Sequence, residues 1–161
     1  MGSSTALVFR VKKIFERRNG IRKTGRIMAV KYVLDTHALI WYLEGNPRLS
    51  ARTKALIDDP ASDLVLPIIA LAEAVFIVER GKTGIPDAQT LLGRVDGDRR
   101  ITVHPLDRAV LNRTLNLQTI PEMHDRQIAA TALLLADQGH TAFLITKDPA
   151  IFDAHAVTTV W

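Results

Sequence analysis

The chain has 161 residues, enough for one domain with a real core, and its 47% hydrophobic and 24% charged content is that of an ordinary soluble globule, not a fibrous or disordered chain. It has no cysteine, which excludes disulfides and thiolate metal sites and fits the reducing cytoplasm, where we expect it to reside; no apolar run approaches the length of a membrane span. The net charge of +4 hides a division: eight basic residues (Arg10, Lys12, Lys13, Arg17, Arg18, Arg22, Lys23 and Arg26) and one acid, Glu16, precede Met28, giving +7 there and leaving −3 for the rest.

The basic head lacks the apolar stretch and small-residue cleavage site of a secretory signal. Met28 is followed at once by the strand-like AVKYVLD. Residues 1–27 are therefore expected to be a basic extension, disordered or the product of a misassigned start, with a nucleic-acid-binding arm as the alternative. Residues 28–161 are expected to form one domain.

From Met28 on, strands alternate with helices. Lys31–Leu34 reads as a buried strand, and residues 38–43 as a helix stopped by Gly45 and Pro47. Ser50 can cap a helix over Ala51–Ile57. Asp63–Ile69 reads as a second strand with Pro67 near its end, Ala70–Glu79 as a helix ending near Gly81, and Pro86–Val95 as another ended by Gly97. A third strand is expected at Arg100–Val103, a helix capped near Asp107 through Leu115, a helix over Asp125–Asp137 stopped by Gly139, a fourth strand at Ala142–Thr146 and a last one at Val157–Trp161. Strands separated by helices imply right-handed crossovers and an α/β fold: a central, mostly parallel sheet flanked by helices in three layers. Such sheets bind ligands at the carboxyl ends of their strands.

Four acids fall at that edge. Asp35 ends strand one, Glu73 lies in the first turn of the helix after strand two, Asp125 starts the alanine-rich helix, and Asp148 follows strand four. Each has a plainer reading. Asp35 and Asp125 are compatible with simple helix caps. Glu73 is harder to dismiss, because Leu71, Ala72, Ala74 and Val75 surround it. Four converging carboxylates cannot all stay ionised without compensation, and a divalent cation supplies it. An all-oxygen donor set suits Mg²⁺ or Mn²⁺ rather than zinc, and points to hydrolysis of a phosphate ester. Arg99, Arg100 and Lys147 are candidate phosphate contacts. Trp41 and Tyr42 could stack a base or simply pack.

At these residues the chain resembles the PIN-domain proteins, specifically the VapC-type toxins of bacterial toxin–antitoxin pairs. The resemblance covers Val30 to Trp161 and rests on YVLDTHALIWYL, LPIIALAEAVFIVERG, HDRQIAATALLLAD, FLITKDPAIF and VTTVW, in that order and spacing. It implies that Asp35, Glu73, Asp125 and Asp148 are the catalytic, metal-binding acids, supported by Thr36 and Thr146. Lys147, just before Asp148, and Arg126, next to Asp125, could touch a substrate phosphate, or be a solvated charge or a local ion pair. It implies a metal-dependent endoribonuclease using Mg²⁺ or Mn²⁺, a homodimer, and a VapB-type antitoxin that blocks the site. One departure stands out: Ile69, Ala70, Leu71 and Ala72 offer no hydroxyl ahead of Glu73, where many relatives have one. The alternatives are a PIN nuclease of RNA maturation and a non-catalytic PIN-like binding module. A phosphoaspartyl phosphatase would need a second aspartate where His37 stands.

Overall fold

The computed structural model describes residues 29–161, so the expected basic extension, 1–27, lies outside the described residues. Twelve elements follow in order: β1 Val30–Leu34, α1 Thr36–Glu44, α2 Ala51–Asp58, β2 Asp63–Pro67, α3 Ile68–Glu79, α4 Ala88–Gly97, β3 Ile101–His104, α5 Arg108–Thr114, α6 Met123–Asp137, β4 Thr141–Ile145, α7 Pro149–Asp153 and β5 Thr159–Val160.

The sheet order is β3-β2-β1-β4-β5, and every pairing is parallel. The expected mostly parallel sheet is thus wholly parallel among the described residues. The strands carry near-continuous apolar runs, as a sheet covered on both faces requires. Val33, Leu34, Leu64, Val65, Leu66, Leu144 and Ile145 are all buried. The chain steps from β1 to β2 to β3 in one direction, then returns to β4 on the other side of β1 and goes on to β5. The order reverses between β1 and β4, and the crevice outside their carboxyl ends is where such folds place ligands.

Helix ends follow local chemistry. Ser50 Oγ accepts from Thr53 N at 3.0 Å, as its position predicts, and Asp107 caps α5 through Val110 N at 3.0 Å. Gly45 closes α1 with φ 65°, a conformation that a side chain would strain. Several boundaries differ from expectation: the first helix already starts at Thr36, β4 runs Thr141–Ile145 and the last strand is only Thr159–Val160. The second strand stops at Pro67, whose ring ends the ladder and leaves Ile68 and Ile69 to open α3. Helix α4 starts at Ala88, not Pro86, because Asp87 caps it through Thr90 N at 2.7 Å. Helix α6 starts two residues early, at Met123. The short α7 was not expected, although Asp148-Pro149 is a cap followed by proline at the first helical position.

Arg100 is a structural clamp, not a phosphate contact. It donates to Asp98 at 2.6 and 2.9 Å, to Asp59 O at 3.1 Å, to Tyr42 Oη at 3.2 Å and to Ile57 O. It and Arg99 also lie at the amino end of β3, the sheet edge opposite the crevice. Tyr42 is accordingly a packing residue.

Candidate active site

Strand β1 delivers Asp35 into the crevice. Its backbone N–H continues the β1–β4 ladder to Ile145 O at 3.1 Å, so the residue sits where the two strands end together. The side chain is 6% exposed. Burying a carboxylate costs several kcal/mol unless donors meet it. Two do: Thr36 N donates to Oδ1 at 2.6 Å, and Thr146 Oγ1 donates to Oδ2 at 2.6 Å. The first bond makes Asp35 the cap of α1, so the capping reading and the site reading both hold.

Thr146 lies just past β4 and is 4% exposed. Besides donating to Asp35, its hydroxyl accepts from Asp148 N at 3.0 Å. One hydroxyl therefore ties the acid after β1 to the acid after β4. Asp148 in turn caps α7, accepting from Ala150 N at 2.7 Å and Ile151 N at 3.4 Å through Oδ1.

Glu73 is held from across the crevice. Thr36 Oγ1 donates to Glu73 Oε2 at 2.6 Å. The hydroxyl missing before Glu73 in its own helix is thus supplied by the first residue of α1. Because α3 begins at Ile68, Glu73 is the sixth helical residue and sits in the second turn, not the first. That correction follows from Pro67 ending β2 early.

Asp125 is the third residue of α6, with Glu122 at the cap position. It is therefore not the helix cap. Its carboxyl is pushed up to about 7, first by desolvation and then by the negative charges of Asp148, Asp35, Glu73 and Glu122. Burial likewise raises Asp35, against the pull of its Thr146 and Thr36 hydrogen bonds. Glu122 is a fifth acid that the sequence reading passed over; its place three residues ahead of Asp125 was the available signal.

The structure brings Asp35, Glu73, Asp125 and Asp148 into one electrostatic neighbourhood, with Thr36 and Thr146 stitching it together. Lys147 is exposed beside Asp148. Arg126 is turned to the loop before α6, where it donates to Ile120 O and, at 3.5 Å, to Gln118 O. Its guanidinium fixes that loop. His37 is exposed and lies against Trp41, with ring centroids 5.5 Å apart.

Does this set fit a divalent cation? Among the described residues, no hydrogen bond reaches the Asp125 carboxylate, Glu73 Oε1 or Asp148 Oδ2. Hard, unclaimed carboxylate oxygens gathered around the raised Asp125 are the donor chemistry that Mg²⁺ or Mn²⁺ takes. As the side chains stand, no group of three or more described His, Asp or Glu residues is disposed to hold an ion. The acids are gathered, but the cage is not closed.

A solved structure of VapBC2 from Rickettsia felis, bound to a DNA fragment from their promoter, is similar over 81% of this chain and 97% of that one, at 16% identity and a TM-score of 0.60. A structure of VapBC-1 from nontypeable Haemophilus influenzae is similar over 81% and 96%, at 22% identity and a TM-score of 0.54. At such identities these show a shared fold. No curated protein matches the chain. The model of the PIN domain matches residues 32–157, a span that includes all four acids and both threonines. The crevice between β1 and β4 and the acids around it thus lie inside the matched domain, and the chain belongs to the PIN-domain family.

Proposed function

We propose that this chain is a metal-dependent endoribonuclease that hydrolyses RNA phosphodiesters and acts as the toxin of a toxin–antitoxin pair. The observation that carries this is the gathering of acids at one sheet edge: Thr36 and Thr146 bond Asp35, Glu73 and Asp148 together, and burial, then the charges of those three, raise the Asp125 carboxyl beside them, for which a cation is the natural relief. Asp35, Asp125 and Asp148, with Glu73 directly or through water, would hold Mg²⁺ or Mn²⁺. Bound there, the ion would supply a nucleophilic water and neutralise charge on the phosphoryl oxygens. The chain's own part is orientation. Thr146 and Thr36 fix the Asp35 and Glu73 carboxylates, so that little reorganisation is needed when the ion and the phosphate arrive. Lys147, exposed next to Asp148, would meet a substrate phosphate.

The toxin reading is supported by the fold shared with two VapBC structures. It brings a VapB-type antitoxin that blocks the site, a homodimer and a cytoplasmic location. Among the described residues no helix is long and apolar enough to cross a membrane.

The test is cleavage of a mixed RNA substrate with Mg²⁺ or Mn²⁺, with EDTA, and with Asp35→Asn. Cutting that needs metal and vanishes in the variant is expected. Cutting that persists in Asp35→Asn would sink the proposal.

A further inference from the structure

A cleft of about 350 Å³ opens between α1 and the segment joining α3 to α4. His37, Trp41, Arg48, Ile77, Lys82 and Thr83 line it. None of the four acids lines it, but it adjoins two of them along the chain. His37 is two residues beyond Asp35, and Ile77 lies one turn, roughly 6 Å, along α3 from Glu73.

Its chemistry is that of a single nucleotide. Trp41 offers an indole, with the Arg48 guanidinium 5.9 Å from its ring centroid and the Trp161 ring set edge-on at 5.6 Å. Planar bases stack on such aromatic and guanidinium surfaces. Arg48 and Lys82 are exposed, and neither has an ion-pair partner among the described residues, in contrast to Lys31, Lys54, Arg100 and Arg113. The one acid in the cleft is already engaged: Glu44 accepts from Gly84 N at 2.5 Å and from Asn46 Nδ2 at 3.3 Å, bracing the two loops that form the walls. The volume lies at the small end of ligand pockets, about 300–1,000 Å³. It suits one flat ring with its sugar better than a folded segment of a partner protein.

We propose that this cleft is a specificity subsite of the nuclease, holding the base of a nucleotide flanking the scissile phosphate against Trp41, with its backbone phosphates met by Arg48 and Lys82. The proposal rests on the nuclease reading above. It assigns sequence preference to α1 and the α3–α4 segment, and leaves the cut itself to the acids.

The experiment has two readouts. In EDTA, 4-thiouridine-substituted single-stranded RNA is cross-linked to the Asp35→Asn protein and the adduct mapped. With metal, the wild type and the variants Trp41→Leu, Trp41→Phe, Arg48→Ala and Lys82→Ala cut a sequence-randomised RNA pool. We expect cross-links at His37 or Trp41 and a base bias at one position beside the cut. Trp41→Leu should flatten that bias and slow cutting of the preferred sequence about five- to hundred-fold, with Trp41→Phe restoring part. Arg48→Ala and Lys82→Ala should keep the bias, raise KM and lower the salt slope of binding by about 0.7 each. Should Trp41→Leu fail to fold, the cross-link map and the two cation variants decide alone. Cutting with rate and bias unchanged in every variant, and cross-links elsewhere, overturns the subsite while the nuclease stands, and favours a protein partner for the cleft. Cross-links at Trp41 without any cutting retain the subsite for RNA binding and remove the nuclease reading. Neither binding nor cutting overturns both.

Discussion

Asp125→Asn should stabilise the metal-free protein while abolishing its activity. The carboxyl is raised from 3.8 to about 7 in the fold. Between those values the native state binds more protons than the unfolded chain, so stability falls as pH rises from about 4 to about 7 and is level above. The full shift corresponds to roughly 4 kcal/mol. Asp125 is only partly buried, and solvent screens the neighbouring acids, so about 1–2 kcal/mol is the reasonable share. Asparagine keeps the shape and removes the charge. Urea unfolding in EDTA at pH 8 should therefore show Asp125→Asn more stable by about 1–2 kcal/mol, a gain that fades towards pH 4. Adding Mg²⁺ should raise the wild-type midpoint and move the variant little. A gain that is equally large at pH 4 and pH 8, or a loss at pH 8, would refute the claim that burial and the neighbouring acids raise the Asp125 carboxyl.

The threonines and the clamp give further expectations. Thr36→Val removes the only described donor to Glu73 and should lower activity by about 10–100-fold, with Thr36→Ser restoring most of it. Thr146→Val leaves Asp35 Oδ2 and Asp148 N without their shared partner; it should cost about 2 kcal/mol in urea unfolding at neutral pH as well as activity. Arg100→Ala should cost about 2–3 kcal/mol in the same assay, yet leave RNA cleavage per folded molecule unchanged, because its bonds lie at the far edge of the sheet.

The order of strands and helices was legible because it rests on signals local in sequence. Apolar runs bounded by Gly45, Gly81 and Gly139 mark where elements stop, and all three glycines do adopt positive φ. Boundaries failed where two local signals compete. Ile68 and Ile69 are good strand residues by type, but Pro67 had already ended the ladder, and helix hydrogen bonds were the remaining way to satisfy their backbone. Pro86 is a fair helix opener, but Asp87 is a better cap, and the cap won. Asp148-Pro149 carried both signals in agreement and was still missed, because a five-residue helix has no periodicity to notice.

The acids of the site could be located from strand ends alone, since a parallel sheet delivers its strand termini to one edge. What holds them could not. The partner of Glu73 is Thr36, 37 residues away in sequence, and the partner of Asp35 is Thr146, 111 residues away. Helix α3 itself carries no hydroxyl for Glu73. The sheet register supplies what the helix lacks: β1 and β4 end level, at Leu34 and Ile145, so the residues that follow each strand face one another across a single gap. Thr36 and Thr146 are thus set by tertiary placement rather than by a local motif. Their shared geometry also explains why the crevice can keep a buried carboxylate at all. Asp35 is solvated by the protein before any cation or phosphate is present, whereas Asp125 receives no such donor and carries the cost of its burial and then the repulsion of the set. The asymmetry makes Asp125 the acid with most to gain from a cation, and the one whose replacement separates the stability of the fold most cleanly from its chemistry.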